Sequence, residues 1–540
     1  MALRGYPISS VLLAGASLFF LGTPANAAAA TPANTDDRLQ ALEQELQDVN
    51  AQLADLKRSQ SNQYGDVNRQ FSDLVRVKLD NGRPTFTSSD GNFSASIRAL
   101  VQLDWGTYFQ SGAAASLPAA FGPDLSSGTN FRRVYFGIQG KAFGDWSYNA
   151  NFDFGGSSGT ETPGHIQSVY LQYDGLAPFA LRAGAYPPPA NLEDSTSAGD
   201  TIFLERNAPS DLQRNIAGGD GRDAVSLLYT GDEVFGALSY TGAKVQDSAV
   251  FNEQQALVGR LSDRFWHDDD TNLVVGVNGT YVINFANAVA RGLPNLSNTP
   301  GTAALNTVTL SDPPELTIDS NNVRLVNTGA LPVRNLSQWG VEAAGNFDNI
   351  FAQAGYYGFQ VDRAPVAFKV FSSSTTSSTE IVKPSSNSLS GWYVQASWFP
   401  TGEQKIYNVA TGAFTAPKVL HPFGFGENAG WGAIELAGRF SDLDLNSHVR
   451  DTSNVITAWS GANRTFTFFN TERGGEQRIL TAEVNWYPNN FVKFGFAYQY
   501  IQISRLQSPA TVTTAGVPVL PTLNGGQNLS TFAVRTQFAL

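Results

Sequence analysis

The sequence predicts an all-β protein, a 16-stranded antiparallel transmembrane β-barrel preceded by a short N-terminal periplasmic coiled-coil helix. Three observations predict it. From residue 93 onward, apolar and polar residues alternate with a period of two. The connections between alternating segments are short and long by turns, as in barrels that cross an outer membrane. The composition combines 42% hydrophobic and 12% aromatic residues with only 15% charged ones, too few charges for a disordered chain and few for a soluble enzyme.

The first segment reads as an export signal. Arg4 supplies a positive start, Ile8 to Leu21 is a short apolar run, and Ala25-Asn26-Ala27 places small residues where signal peptidase requires them. Residues 1–27 are therefore expected to be removed after Ala27. No later stretch has the roughly 18 apolar residues of a spanning helix. The best candidate, Leu273 to Ala290, is broken by Asn278, Asn284 and Asn287, which excludes a helical bundle.

Residues 36–58 read as a helix made for partners. Leu39, Leu42, Leu46, Val49, Leu53 and Leu56 follow at steps of three and four, an a/d seam with polar residues elsewhere. So short a helix is marginal in water until another apolar stripe covers it, so self-association is expected, the alternative being a helix docked on the chain's own body. Gly65 is expected to lie beyond its end, in a linker over 59–92, with the barrel occupying 93–540.

Within Phe93 to Trp105 the odd positions are Phe93, Ala95, Ile97, Ala99, Val101, Leu103 and Trp105, and the even ones include Ser96, Arg98, Gln102 and Asp104. In Arg132 to Ala142, Val134, Phe136 and Ile138 oppose Arg133, Gln139 and Lys141, and near the C-terminus Phe532, Val534 and Phe538 oppose Arg535 and Gln537. Sixteen such segments start near Phe93, Arg132, Asp145, Ile166, Phe179, Arg222, Val234, Ala256, Asn272, Leu336, Ile350, Leu389, Trp431, Glu476, Phe491 and Ser530. Unpaired backbone groups cost several kcal/mol in hydrocarbon, so such a sheet must close and turn an apolar face outward. Trp105, Trp146, Trp398 and Trp486 fall near strand ends, where interfacial aromatics sit. Phe399 to Gly430 falls on the short-turn side yet is long, so it is expected to do more than close a hairpin.

The run GWYVQASWFPTGEQKIYNVATGAF, followed by HPFGF and WGAIELAGRFSDLDLN, resembles the phosphate-selective porin O and P family. FLERNAPSDLQRNIA, GVEAAGNFDNIFAQAGYY and GGEQRILTAEVNWYPNNFVKFGFAYQY resemble further blocks of that family, in order from about residue 80 to the end. The resemblance implies a homotrimer of barrels passing anions, with two long loops and a long periplasmic turn folded inward. Those segments would be Pro187 to Gly221, Asn284 to Asn335 and Phe399 to Gly430. It also implies an outer-membrane location, contact with outer-membrane lipid and insertion by the barrel assembly machinery. The chain departs from the lysine-rich phosphate-specific members: it has nine Lys, and its long loops hold only Lys244, Lys369 and Lys383.

Strand parity gives the lumen Arg98, Arg133, Lys141, Arg182, Arg260, Arg439, Lys493 and Arg535 against Asp104, Asp153, Asp174, Glu342, Glu435 and Glu483. Fixed Arg in a narrow pore replaces part of an anion's lost hydration and stays charged at any working pH. The expected anion-binding residues are Arg98, Arg133, Lys141, Arg182, Arg206, Arg214 and Arg439. The alternative is that these Arg pair with lumen acids and merely wet the wall. Glu435 and Arg439, four apart on one face, read as an ion pair. The net charge of −12 does not oppose an anion path, because charges beyond roughly 8–10 Å are largely screened.

Several functions are excluded or set aside. The absence of Cys rules out disulfides, thiol catalysis and a zinc ribbon, and the acidic balance, with pI near 4.9, argues against nucleic acid as a partner. The four His, at 165, 267, 421 and 448, fall in no catalytic or metal motif, so no enzyme activity, cofactor or metal is expected. The function expected is passive diffusion of small anions, phosphate included. The alternatives are a general, weakly selective porin, an envelope-tethering barrel and a barrel hydrolase.

Overall fold

The computed structural model describes residues 35–72, 75–80, 82–110, 125–156, 163–248, 250, 252–286, 306–425, 429–506, 510–514 and 525–540. The expected signal segment lies outside the described residues. The chain divides into two units, 1–73 and 74–540.

The described residues of the first unit form one helix, α1 (Thr35–Ser72). It covers the expected 36–58 but continues through Gly65, because one glycine costs only about 1 kcal/mol in a helix and the flanking Gln, Arg and Lys favour it. The linker expected over 59–92 is therefore helix as far as Ser72, and beyond it a hairpin, Arg76–Asp80 with Arg83–Thr87. The six residues of the Leu39 to Leu56 seam are all exposed on the isolated chain.

The second unit is built on sixteen long strands: β1 (Ser94–Gln110), β2 (Gly128–Ala142), β3 (Trp146–Asp153), β4 (His165–Leu176), β5 (Phe179–Ala185), β6 (Arg222–Thr230), β7 (Val234–Lys244), β8 (Gln255–His267), β9 (Thr271–Asn284), β10 (Leu331–Phe347), β11 (Ile350–Arg363), β12 (Asn387–Trp398), β13 (Ala433–Ser447), β14 (Glu472–Asn489), β15 (Val492–Ser504) and β16 (Asn528–Ala539). Each pairs antiparallel with the next. β16 then pairs with β1 from Leu529 opposite Gln110 to Ala539 opposite Leu100, which closes the barrel. All sixteen expected strands are present.

Alternation explains both faces. Along β15, Lys493, Ala497, Gln499 and Ile501 are buried inside, whereas Phe496, Tyr498 and Tyr500 are exposed outside. On β2, Phe136 and Ile138 point out and Arg133 points in. The β2–β3, β4–β5, β6–β7, β8–β9, β10–β11 and β14–β15 connections are tight turns. The opposite end carries the long loops, among them 186–221 and 285–330. Among the described residues no helix is long and apolar enough to cross a membrane.

The parity argument fails at one informative place. Arg133 pairs with Gln102, but the next pair is Phe131 with Leu103, so Arg132 is the extra residue of a β-bulge. A bulge re-aims a side chain that strict alternation would send to lipid. Arg132 and Arg133 both reach the lumen, and both approach Glu205.

Candidate functional site

The lumen is filled by three connections. The β5–β6 connection carries α2 (Leu192–Ser195) and α3 (Ala208–Ala217). Asn207 caps α3 by accepting from the Ser210 N–H at 3.0 Å, Pro209 occupies the first turn, and Gly218 ends the helix. The apolar stripe of α3, including Ala208, Leu212 and Ile216, joins the main apolar cluster with Leu336, Tyr357 and Tyr393 of the wall. Gly391 on β12 makes this approach feasible, since a Cβ there would stand 2.8 Å from Pro209 Cγ.

The β9–β10 connection also turns inward. Glu315 accepts from Arg439 Nη2, from Ser441 Oγ and, at 2.8 Å, from the Ala208 N–H that starts α3. The long β12–β13 connection, 399–432, is the third. Arg260 is ion-paired to Glu342 at 2.6 Å and donates to the Gly412 carbonyl at 2.7 Å, which draws the tip of that connection under the barrel. The described parts of all three segments expected to fold inward contact the lumen wall.

Several expected lumen bases serve the wall rather than the passage. Lys493 Nζ donates to the carbonyls of Thr201 and Ile202, both at 2.8 Å. Arg535 binds Asp104 and the Leu204 carbonyl, both at 2.6 Å. Arg439 donates to the Glu205 carbonyl at 2.9 Å and pairs with Glu315. Backbone carbonyls of an inserted loop must find donors, and these side chains supply them. The expected Glu435–Arg439 pair does not form: Arg439 goes to Glu315, while Glu435 accepts from Asn485 Nδ2 at 3.1 Å and Tyr487 OH at 2.8 Å. A loop carboxylate displaced the partner that strand spacing suggested.

Two polar cavities hold expected anion-binding arginines. An outer one of about 130 Å³ lies beneath the β9–β10 loop, with Arg132, Arg206, Arg214 and Arg324 facing Glu205, Asp211, Asp312 and Glu315. An inner one of about 310 Å³ lies toward the short-turn end, with Arg83, Arg98, Arg182, Arg206 and Arg214 facing Asp194, Asp200 and Asp220. The C-terminal Leu540 lies in the wall of the inner cavity as well. Arg206 and Arg214 are common to both cavities, so they stand between the two.

Their partners differ. Arg214 is clamped, with Nε on Asp194 and Nη2 on Asp220 at 2.7 Å. Burial opposes its charge, but Asp220, Asp194 and Asp211 together raise its pKa above the usual guanidinium range. The same pairing acts on Asp220: burial pushes its carboxyl up, yet Arg214, Arg206 and Arg133 hold it well below the ordinary range. Arg206 is held more loosely, 3.9 Å from Asp194 and donating to the Glu193 carbonyl at 3.3 Å. Glu205 is the acid hub, 2.6 Å from Arg132 and 3.6 Å from both Arg133 and Arg535. Burial alone would raise its pKa; the three guanidiniums outweigh that and depress it.

Of the seven expected site residues, Arg98, Arg182, Arg206 and Arg214 share the inner cavity. Arg133 sits in the wall, bonded to Gln102 at 2.8 Å. Arg439 is a loop clamp, and Lys141 is exposed near the short turn, opposite Ser94 and Ser147. Sequence reasoning missed Arg83, Arg132, Arg324, Glu205 and Glu315. Arg132 was signalled by two adjacent Arg in an alternating strand, which no unbulged strand can turn to the same face; the loop residues carried no periodic signal.

A closed barrel with an apolar belt and a lumen narrowed by inserted loops defines a transmembrane channel of the porin class. The chain belongs to the family Phosphate-selective porin O and P, which matches residues 118–515. It is 24% identical to Porin O of Pseudomonas aeruginosa over 442 residues, covering 80% of this chain and 88% of that protein. It is 23% identical over 422 residues to an uncharacterized protein of Caulobacter vibrioides, covering 77% and 70% of the two chains. Among solved structures, an anion-selective porin from Comamonas acidovorans superposes with a TM-score of 0.44 at 9% identity, covering 83% of this chain and all of that one. Family and fold together make this chain an outer-membrane porin.

Proposed function

We propose that this porin passes small anions, phosphate among them, by passive diffusion through the two cavities, with Arg206 and Arg214 at the narrow point. The observation that carries the reading is that these two guanidiniums line both cavities. Guanidinium forks offer planar, permanently charged donors to an anion stripped of part of its water. The excess of positive side chains lies on the inner side, five Arg against three Asp. Throughput requires weak binding, which the neighbouring carboxylates enforce.

A weakly selective porin is the second reading. It is favoured by the outer cavity, where four Arg face four acids. Assembly as a homotrimer, with the exposed α1 seam as one contact between copies, belongs to the proposal, as do export through cleavage after Ala27, insertion by the barrel assembly machinery and a lipid-facing outer belt.

The test is conductance of the mature protein in planar bilayers under a potassium chloride gradient, titrated with phosphate. Reversal potentials favouring chloride, insertion in steps of three and block by phosphate support the full proposal. Chloride preference without phosphate block reduces it to a general anion porin. Cation preference refutes it.

A further inference from the structure

We propose that the inner cavity is a binding site for organic carboxylates, anions that carry a carboxylate on a flat apolar body, and that it takes them in preference to inorganic phosphate. The inference rests on the anion-passing reading and names the class of anion that the inner cavity fits.

The cavity joins unpaired guanidiniums to aromatic surface. Arg182 lies over the Tyr170 ring, 4.3 Å from its centroid, and 5.4 Å from that of Tyr186. Its Nε is anchored on Gln172 at 2.7 Å. Among the described residues no carboxylate lies within ion-pairing distance of Arg83, Arg98 or Arg182. Two of the three cavity aspartates, Asp194 and Asp220, are taken by Arg214, so Asp200 is left to oppose three guanidiniums that have no ion-pair partner among the described residues.

Beside polar residues such as Asn149, Asn151 and Gln167, one part of the wall is apolar and offers free phosphate nothing. Tyr170 and Tyr186 meet edge to face at 5.5 Å, and Leu100, Leu228, Phe235 and Pro187 line the same space. A fully hydrated inorganic anion gains nothing from such a surface and loses water beside it. A carboxylate on a ring places its oxygens on the guanidinium fork and its apolar body against Tyr170, the half-buried ring of the pair. Among the described residues no lysine, which would serve a phosphate as a point charge, lines this cavity. The volume, about 310 Å³, falls at the lower end of the roughly 300–1,000 Å³ of small-molecule sites.

The experiment measures chloride current through the full-length mature porin in planar bilayers while sodium benzoate, sodium acetate or sodium phosphate is added. Benzoate is expected to halve the current at a concentration about tenfold below that needed for acetate or phosphate. In Tyr170→Leu the advantage of benzoate over acetate disappears, and in Tyr170→Phe, which keeps the ring, it persists. Equal block by benzoate and acetate, stronger block by phosphate, or an advantage that survives Tyr170→Leu overturns the inference. Should Tyr170→Leu not insert, the wild-type series and Tyr170→Phe decide it. Reversal potentials separate the two levels: a cation-preferring channel overturns the anion reading and this inference with it, whereas an anion-preferring channel with no benzoate advantage overturns this inference alone.

Discussion

Reversing the charge of Arg206 tests the narrow point directly. The side chain lines both cavities and its nearest carboxylate, on Asp194, is 3.9 Å away, so its charge is only partly neutralised. A permeant ion about 5 Å from a unit charge interacts with it by about 0.8 kcal/mol at the dielectric of water, and by more in a narrow pore. Arg206→Glu moves the local charge by two units, which costs an anion about 1.7 kcal/mol and favours a cation by as much. Together these change the anion-over-cation balance by about 3.3 kcal/mol, and each 1.4 kcal/mol is about tenfold, so the permeability ratio falls roughly 10- to 250-fold, the lower figure allowing for Asp194. The assay is the reversal potential under a chloride gradient, with Lys141→Glu as the comparison. Lys141 carries the same kind of charge but lines neither cavity, and its reversal should shift the ratio less than twofold, by screening of an exposed site. An unchanged potential in Arg206→Glu, or an equal shift in both variants, refutes the placement of the narrow point.

Other consequences follow from the same geometry. Phe136 faces outward on β2, so Phe136→Arg should destabilise the barrel by about 2–4 kcal/mol in bilayer refolding titrations, the cost of Arg near the midplane. Gly391→Val places side-chain atoms within 2.8 Å of Pro209; it should push α3 off the wall into the lumen and lower single-channel conductance while heat-modifiable migration on gels shows a folded barrel. Asp312 of the outer cavity is pushed well above the ordinary carboxylate range by burial and then by Asp211. It therefore stays neutral as pH rises past the ordinary carboxylate value and ionises only on reaching its raised one, so anion conductance should fall across that upper step, and Asp312→Asn should remove the step. Glu205 behaves oppositely. Its depressed carboxyl contributes stability that is complete above the ordinary value and is lost only as pH falls through the depressed one, so Glu205→Gln should lower the resistance of the folded barrel to acid, read by the same gel shift.

Much of the architecture was legible in the chain itself. A period of two with one apolar face has a single stable solution in lipid, a closed sheet, because every backbone group must be paired. The alternation of short and long connections then marked the long segments, one of which carries Arg206 and Arg214. Local pattern could not say which lumen bases face the passage. Arg98, Arg133, Arg182 and Arg439 share the same parity signal, yet Arg439 is spent on a loop carbonyl and Glu315, and Arg133 on Gln102.

What the sequence determined by itself is therefore set by period and composition: the strands, their order, the lipid face and the family motifs. What tertiary structure decided is the pairing of charges, because partners such as Arg439 and Glu315 come from segments far apart in the chain. The bulge at Arg132 is a further case, since it depends on the register of β1 against β2. A buried ion takes the nearest counter-charge in space, and only the path of the inserted loops determines which one that is.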